Sequence, residues 1–288
     1  MCDIDETRVR KLLIGTENKK KVDAYANQPW FVQCAAEKFS IMSSPDPAIA
    51  HFYSFKVDPH KSLTLAIPDG CIDILFNGND TTPSAKVYGS LLQIEAVNLI
   101  KNEHYIGVRF ANGIVPNFLD VSAKELINNH YNLLDVAPNA EKLLEQIACR
   151  NRVIQKVDSI QQYLHNKTLP RTSSQLTIPI IRKICQQKGN VRVKDLELLT
   201  GYTTRTLQRA FMDDVGMSPK LFSRIIRCQS AAYSLKHDHI SFCDLASELG
   251  FSDQSHFLRE FKQLISSTPL EYINYVKQEE YANKLQSS

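Results

Sequence analysis

Two sets of side chains carry the chemistry that can be read from this sequence. The first stands in "TGYTTRTLQRAFMDDVGMSPKLFSRI", residues 200–225, and returns with small changes in "LGFSDQSHFLREFKQLISSTPLEYI", residues 249–273. On a helical repeat, Leu207 and Phe211 in one copy, and Phe257 and Phe261 in the other, can pack inward. That leaves Thr204, Arg205, Gln208 and Arg209 on one outer face and Gln254, Ser255, His256 and Arg259 on the other. Arg fits the two acceptors on the major-groove edge of guanine, and Gln the donor and acceptor of adenine, so a face of this composition can read DNA. The alternative is a pair of helical hairpins that merely pack together, with Arg209 and Arg259 solvated or ion-paired. Duplication with matching caps and a basic face weighs against it.

The second set lies upstream. In "PDGCIDILF" the residues Asp69, Cys71 and Asp73 alternate with Ile72, Ile74 and Phe76 opposite, and in "GVRF" Arg109 points away from Val108 and Phe110. Lining an interior, Asp73 and Arg109 could bind a polar ligand. An internal ion pair or a Pro-Asp-Gly turn is the blander reading and has the greater weight, because buried charges normally pair. Two carboxylates beside Cys71 would raise its pKa, which argues against a reactive thiol. His51, His60, His104 and His130 are too dispersed for a metal motif, and no GxSxG elbow, P-loop or GxGxxG fingerprint occurs. No catalysis, metal or cofactor is expected.

The elements that must hold these groups differ along the chain. Residues 45–120 contain short β-rich runs separated by Pro-Asp-Gly, Asn-Gly-Asn-Asp and Thr-Pro-Ser, the pattern of an antiparallel barrel or sandwich. Residues 139–165 shift to a 3.6 period, as one amphipathic helix or a helix pair, and "NKTLPRTSSQLT" follows as a linker. From Ile178 on, glycines at 189, 201, 216 and 250 fall where helices should end, and Ser218-Pro219 and Thr268-Pro269 where they should begin, giving about seven helices. Leu196, Gly201 and Tyr202 match Leu245, Gly250 and Phe251 at an offset of 49. After one extra residue, Leu207, Phe211, Ser218-Pro219 and Phe222 match Phe257, Phe261, Thr268-Pro269 and Tyr272 at 50. Each copy has the layout of a helix-turn-helix.

Composition sets the bounds. A length of 288 residues with 43% hydrophobic and 23% charged residues is that of a folded two-domain protein. Neither an export signal nor an apolar stretch long enough to span a membrane is present, and seven scattered cysteines without a CxxC pair read as cytoplasmic thiols. From Pro170 onward 16 Lys and Arg face 12 Asp and Glu, a net of +4, against 18 and 19 before it. The basic excess sits with the duplicated motif, as a polyanion partner would require. The run Lys19-Lys20-Lys21 is either an arm for phosphate or solvated charge.

The C-terminal hundred residues resemble the AraC/XylS transcriptional regulators through "LELLTGYTTRTLQRAFMDDVGMSPKLFSRIIRCQSAAYSL" and "ISFCDLASELGFSDQSHFLREFKQLISSTPLEYI". Arg227, Ala231 and Leu235 occupy expected places in a linker helix between the motifs, while Ser266 replaces the usual Gly, and Cys228 and Ser234 usual Leu positions. "IPDGCIDILF", "VYGS", "IGVRF" and "FLDVSAKELINNHYNLLDV" resemble the cupin-like N-terminal domain of one branch of these regulators. The resemblance implies an α+β multidomain protein: a cupin-like antiparallel β barrel with flanking helices over residues 1–170 for sensing or dimerisation, and an all-α DNA-binding domain over 171–288 with two helix-turn-helix motifs. The partners expected are double-stranded promoter DNA, a small-molecule effector, RNA polymerase and a second copy through the N-terminal domain, with no membrane. A catalytic barrel and a purely dimerising one remain the contrasting readings; a cluster of His and carboxylates inside would favour the first, and a completely filled interior the second.

Overall fold

The computed structural model describes residues 36–58, 64–77, 83–165, 167–168, 174–238, 240–278 and 285–287. The Lys19–Lys21 run, Cys2, Cys34, His60 and the expected boundary at 170/171 lie outside the described residues. Alternation along the β-rich runs produces strands β1 (Ala36–Ser43), β2 (Ile49–Val57), β3 (Thr64–Ala66), β4 (Asp73–Asn77), β5 (Ser84–Tyr88), β6 (Glu95–Val97), β7 (His104–Phe110) and β8 (His130–Asn132), with β9 (Leu285–Ser287) at the far end of the chain. The main sheet has the order β8-β5-β4-β7-β2-β1-β9 and is antiparallel except for the β1–β9 pair; β3 and β6 form a separate antiparallel ribbon. Among the described residues no pairing joins the two ends of that order.

Because successive strand residues face opposite ways, the sheet sorts its side chains into two layers. Phe52, Ile74, Phe76, Val87, Ile106, Val108 and Phe110 pack against helices α1 (Ala123–Leu126), α2 (Leu133–Val136), α3 (Glu141–Ala148) and α4 (Val153–Leu164). The amphipathic stretch at 139–165 is therefore a pair of helices, broken between Cys149 and Arg152. On the other face Phe39, Tyr53, Phe55 and Tyr105 form a row of stacked rings, and this layer is continuous with the core of the C-terminal helices. Tyr53 lies flat across Gly107, where a Cβ would stand 2.0 Å from its ring, so only glycine fits there.

The C-terminal part is helical among its described residues, with β9 the exception: α5 (Ser174–Gln186), α6 (Val193–Thr200), α7 (Thr204–Val215), α8 (Pro219–His237), α9 (Phe242–Glu248), α10 (Gln254–Ile265) and α11 (Pro269–Gln278). Side-chain oxygens of Thr203, Ser218, Ser241 and Asp253 accept from backbone N–H groups at the starts of α7 to α10, and Thr268 does the same for Glu271 at α11. These bonds satisfy donors that a helix leaves unpaired in its first turn. No described helix is long and apolar enough to cross a membrane.

Candidate functional site

The two duplicated segments form two helix pairs, α6–α7 and α9–α10, on either side of α8. Nineteen residues give α8 a length of about 28 Å at 1.5 Å per residue. Each second helix is anchored by its apolar side. Leu207 and Phe211 are fully buried, with the Phe211 ring edge-on to Phe222 of α8 at 5.5 Å. Phe257 and Phe261 are likewise buried, and Phe261 meets Tyr272 of α11 at 5.6 Å. Burying four such side chains at about 1.5–3 kcal/mol each fixes which face of α7 and α10 is turned outward.

On those outward faces Arg205, Gln208 and Arg209 of α7, and Gln254, Ser255 and Arg259 of α10, are exposed. Thr204 and His256 are not free in the same way. The amide and hydroxyl of Thr204 both donate to Glu197 Oε1 at 2.6 Å, which holds that carboxyl below its usual pKa and ties α7 to α6. The amide of His256 donates to Asp253 Oδ1 at 2.7 Å; its ring is edge-on to Phe251 and lies 3.3 Å from Glu260 through Nε2. Glu260 is in turn paired with Arg224 of α8, whose Nη2 donates to Gln263 at 2.9 Å. His256 thus belongs to a network that joins α10 to the central helix. Sequence reasoning missed Glu260 and Arg224, which sit four residues from His256 and five from Pro219 and carry no local signal of meeting each other.

The second set of groups converges in a cavity of about 190 Å³ between the main sheet and the β3–β6 ribbon. Arg109 donates to Asp73 from both Nε (3.0 Å) and Nη2 (2.6 Å) and to Asp69 Oδ2 from Nη1 (2.6 Å). Tyr53 adds a hydroxyl bond to Asp73 Oδ1 at 3.1 Å. The internal ion pair and the cavity lining are therefore the same residues. Asp69 also accepts from the Cys71 amide at 2.9 Å, closing the Pro-Asp-Gly turn. Tyr53 escaped the sequence reading because its role comes from β2 lying beside β7, a pairing that no local pattern reveals.

Burial dominates the electrostatics here. It raises the Asp73 carboxyl above its ordinary range, against the opposing pull of Arg109, and raises the Cys71 thiol further with help from Asp69. Burial, with Arg109 adding repulsion, lowers His51 to about 3, so this ring is neutral beside the guanidinium. Among the described residues no group of three or more His, Cys, Asp or Glu could hold a metal ion. His51, His104 and His130 are spread over β2, β7 and β8.

A helix-turn-helix domain model matches residues 199–275, from the end of α6 into α11, and a domain of unknown function (DUF6597) matches residues 45–132, which hold the cavity. An uncharacterized HTH-type transcriptional regulator of Haemophilus influenzae is 30% identical over 97 residues, covering 34% of this chain and 33% of the relative. The probable transcription factor PqrA of Proteus vulgaris is 32% identical over 87 residues, covering 30% of this chain and 71% of the relative. The chain thus spans about a third of the length of the first relative and most of the second. Among solved structures, ToxT of Vibrio cholerae aligns over 83% of this chain and 98% of its own at 12% identity, with a TM-score of 0.43.

Proposed function

Because the chain belongs to the AraC/XylS family of transcriptional regulators, we propose that it is a sequence-specific regulator in which α7 and α10 are the recognition helices of two helix-turn-helix motifs. The observation that carries this reading is the pair of outward faces, Arg205, Gln208 and Arg209 on one and Gln254, Ser255 and Arg259 on the other, tied to one rigid helix. A separation near the length of α8, plus the widths of the helices, suits major-groove faces about 34 Å apart, one turn of B-DNA. Thr204 and His256 act as positioning residues that also face the groove. The units are residues 1–170, closing as a cupin-like barrel, and 171–288. The protein works in the cytoplasm on promoter DNA, pairs with a second copy through the N-terminal unit and communicates with RNA polymerase.

The N-terminal unit senses a small molecule in its cavity, with Asp73 and Arg109 as contacts. A filled interior would have favoured a unit that only dimerises; an open one supports sensing. A contiguous path supports control of DNA binding from this site. Asp69, held by Arg109, belongs to the segment Pro68–Cys71, whose Pro68 carbonyl accepts from Gln229 of α8. Gly70 packs against the Phe222 ring, and Phe222 meets Phe211 of α7.

Footprinting with the purified chain tests the reading. Two short elements about 10 base pairs apart on one face of the duplex are expected. Arg205→Ala, Gln208→Ala or Arg209→Ala should relax base preference in one element and Gln254→Ala or Arg259→Ala in the other, each costing about 1–3 kcal/mol. A footprint confined to one element, or both sets of changes mapping to the same bases, would refute two-site reading.

A further inference from the structure

We propose that the cavity takes a compact organic ammonium, a small amine with an apolar body, whose N–H group donates to Asp73. This rests on the reading of the cavity as the effector site and adds the chemical class of the effector.

The charges around the cavity do not balance. Deep in it, Asp69 and Asp73 meet one guanidinium, that of Arg109. His51, the other basic group beside Arg109, is neutral. At the mouth, Lys86, Glu95 and His130 are all exposed, so solvent screens them. Two carboxylates thus share one guanidinium there, and burial, with Asp69 adding repulsion, raises the Asp73 carboxyl, which a bound cation would bring down again. An uncompensated buried carboxylate is costly, and a cation entering the site relieves it.

Hydrogen-bond capacity singles out the atom. A carboxylate offers about four acceptor positions. On Asp73, Oδ1 already accepts from Tyr53 and from Arg109 Nε, while among the described residues Oδ2 accepts from Arg109 Nη2 alone. Asp73 is also the most open of the three charged groups, its side chain 14% exposed against 9% for Asp69 and 3% for Arg109. The remaining position on Oδ2 suits a charged N–H donor, which makes the stronger kind of hydrogen bond.

The walls suit the rest of such a ligand. Tyr53, Phe55 and Tyr88 present rings that favour a cation over their faces, and Ile67, Leu75 and Leu99 present apolar surface. At about 190 Å³ the space lies below the roughly 300 Å³ at which drug-sized pockets begin, which suits a small ligand. An anion would meet the surplus carboxylate and lose its hydration.

Three probes that differ in one group test this on the full chain: 2-phenylethylamine, 2-phenylethanol and 3-phenylpropanoate, by calorimetry and thermal shift up to about 10 mM, where a ligand of the native state raises stability in proportion to ln(1 + [L]/Kd). The amine should bind at least about tenfold more tightly than the alcohol, the size of effect one charge-assisted bond supplies, and the carboxylate should not bind. Asp73→Asn should bring the amine and alcohol together. Leu99→Trp, which fills the cavity and leaves the ion pairs in place, should abolish amine binding and shows that the site is the cavity should Asp73→Asn fail to fold. Equal or tighter binding of the alcohol or carboxylate, amine binding that survives Leu99→Trp, or no binding by any probe overturns the ammonium class. Amine binding that leaves DNA affinity unchanged keeps the class and refutes the effector reading instead.

Discussion

The two helix pairs share a sequence pattern, yet they are held at opposite ends. In α6–α7 the turn is free: Gly201 has no atom within 4 Å of where a Cβ would stand, and Tyr202 is 53% exposed. Its far end is docked, because Gly216, after α7, abuts the backbone of Ala123 in the N-terminal half. In α9–α10 the situation reverses. Gly250 in the turn abuts Asn190, and Phe251 is buried under Arg227, whose guanidinium also donates to the Gly189 carbonyl at 3.0 Å. The far end carries Ser266, exposed, at φ 57°. Duplication supplied the same pair twice, and neighbours decided which end is fixed. Among the described residues the path traced from the cavity, through Pro68, Gly70 and Phe222, meets the first pair at Phe211, so on the proposed function a signal there should reach the DNA element read by α7 before the other.

The largest effect that would test this contrast is at Gly216. Alanine there would place a Cβ 2.3 Å from the Ala123 carbonyl oxygen at φ +80°. Neither the backbone obstacle nor the positive φ can be relieved by a side-chain rotation, so a loss of about 2–4 kcal/mol is expected by denaturant unfolding. A loss below 1 kcal/mol would mean that the docking of α7 on α1 does not persist in solution.

Next in size is Gln229→Ala. It leaves the Pro68 carbonyl without its donor in a buried interface, at about 1–3 kcal/mol. Amide exchange should quicken in Asp69–Cys71, α7 and the first half of α8, and stay unchanged in α10. Equal loosening of both pairs would break the proposed asymmetry.

Much of this was legible in the sequence, and the illegible part has a common cause. Caps and turn glycines are local, so the helix starts at Pro219 and Pro269 follow from Ser218 and Thr268 alone. Alternation placed Asp73 and Arg109 on one side of their strands, opposite Ile74 and Val108. What local pattern lacks is partner identity. That Tyr53 lies over Gly107, that Glu260 meets Arg224, or that Pro68 meets Gln229 depends on contacts 36 to 161 residues apart along the chain. The departure at Ser266 was legible as an oddity; its reason, an open far end, lies in the packing.

A smaller contrast separates the two turns. Gly250→Ala meets Asn190 side-chain atoms at 2.3–2.4 Å, and that amide can swing aside, whereas Gly201→Ala meets nothing. Both suffer the left-handed backbone, at about 1–2 kcal/mol. Gly250→Ala should therefore cost more by less than about 1 kcal/mol, read as a difference in unfolding midpoint. An equal cost would show that Asn190 and Arg227 do not clamp the second turn.

The smallest effect has the opposite sign. Ser266 occupies the position after α10 that Gly216 occupies after α7, and its amide donates to the Lys262 carbonyl at 2.9 Å just as the Gly216 amide donates to Met212 at 3.0 Å. Both bonds need a left-handed residue, and both residues have positive φ. In the first pair a Cβ is barred by Ala123, so glycine is required on two counts. In the second pair solvent surrounds the position, and only the conformational cost remains. Ser266→Gly removes that cost while the unfolded chain gains freedom, and the two terms partly cancel. A net stabilisation of about 0.5 kcal/mol is expected, visible as a small rise in unfolding midpoint with an unchanged slope. DNA affinity should not move, since neither the outward face of α10 nor its tie to α8 through Glu260 involves this residue. A destabilisation, or a change confined to the second DNA element, would mean that the Ser266 side chain has a partner in the working protein and that the far end of α10 is docked after all.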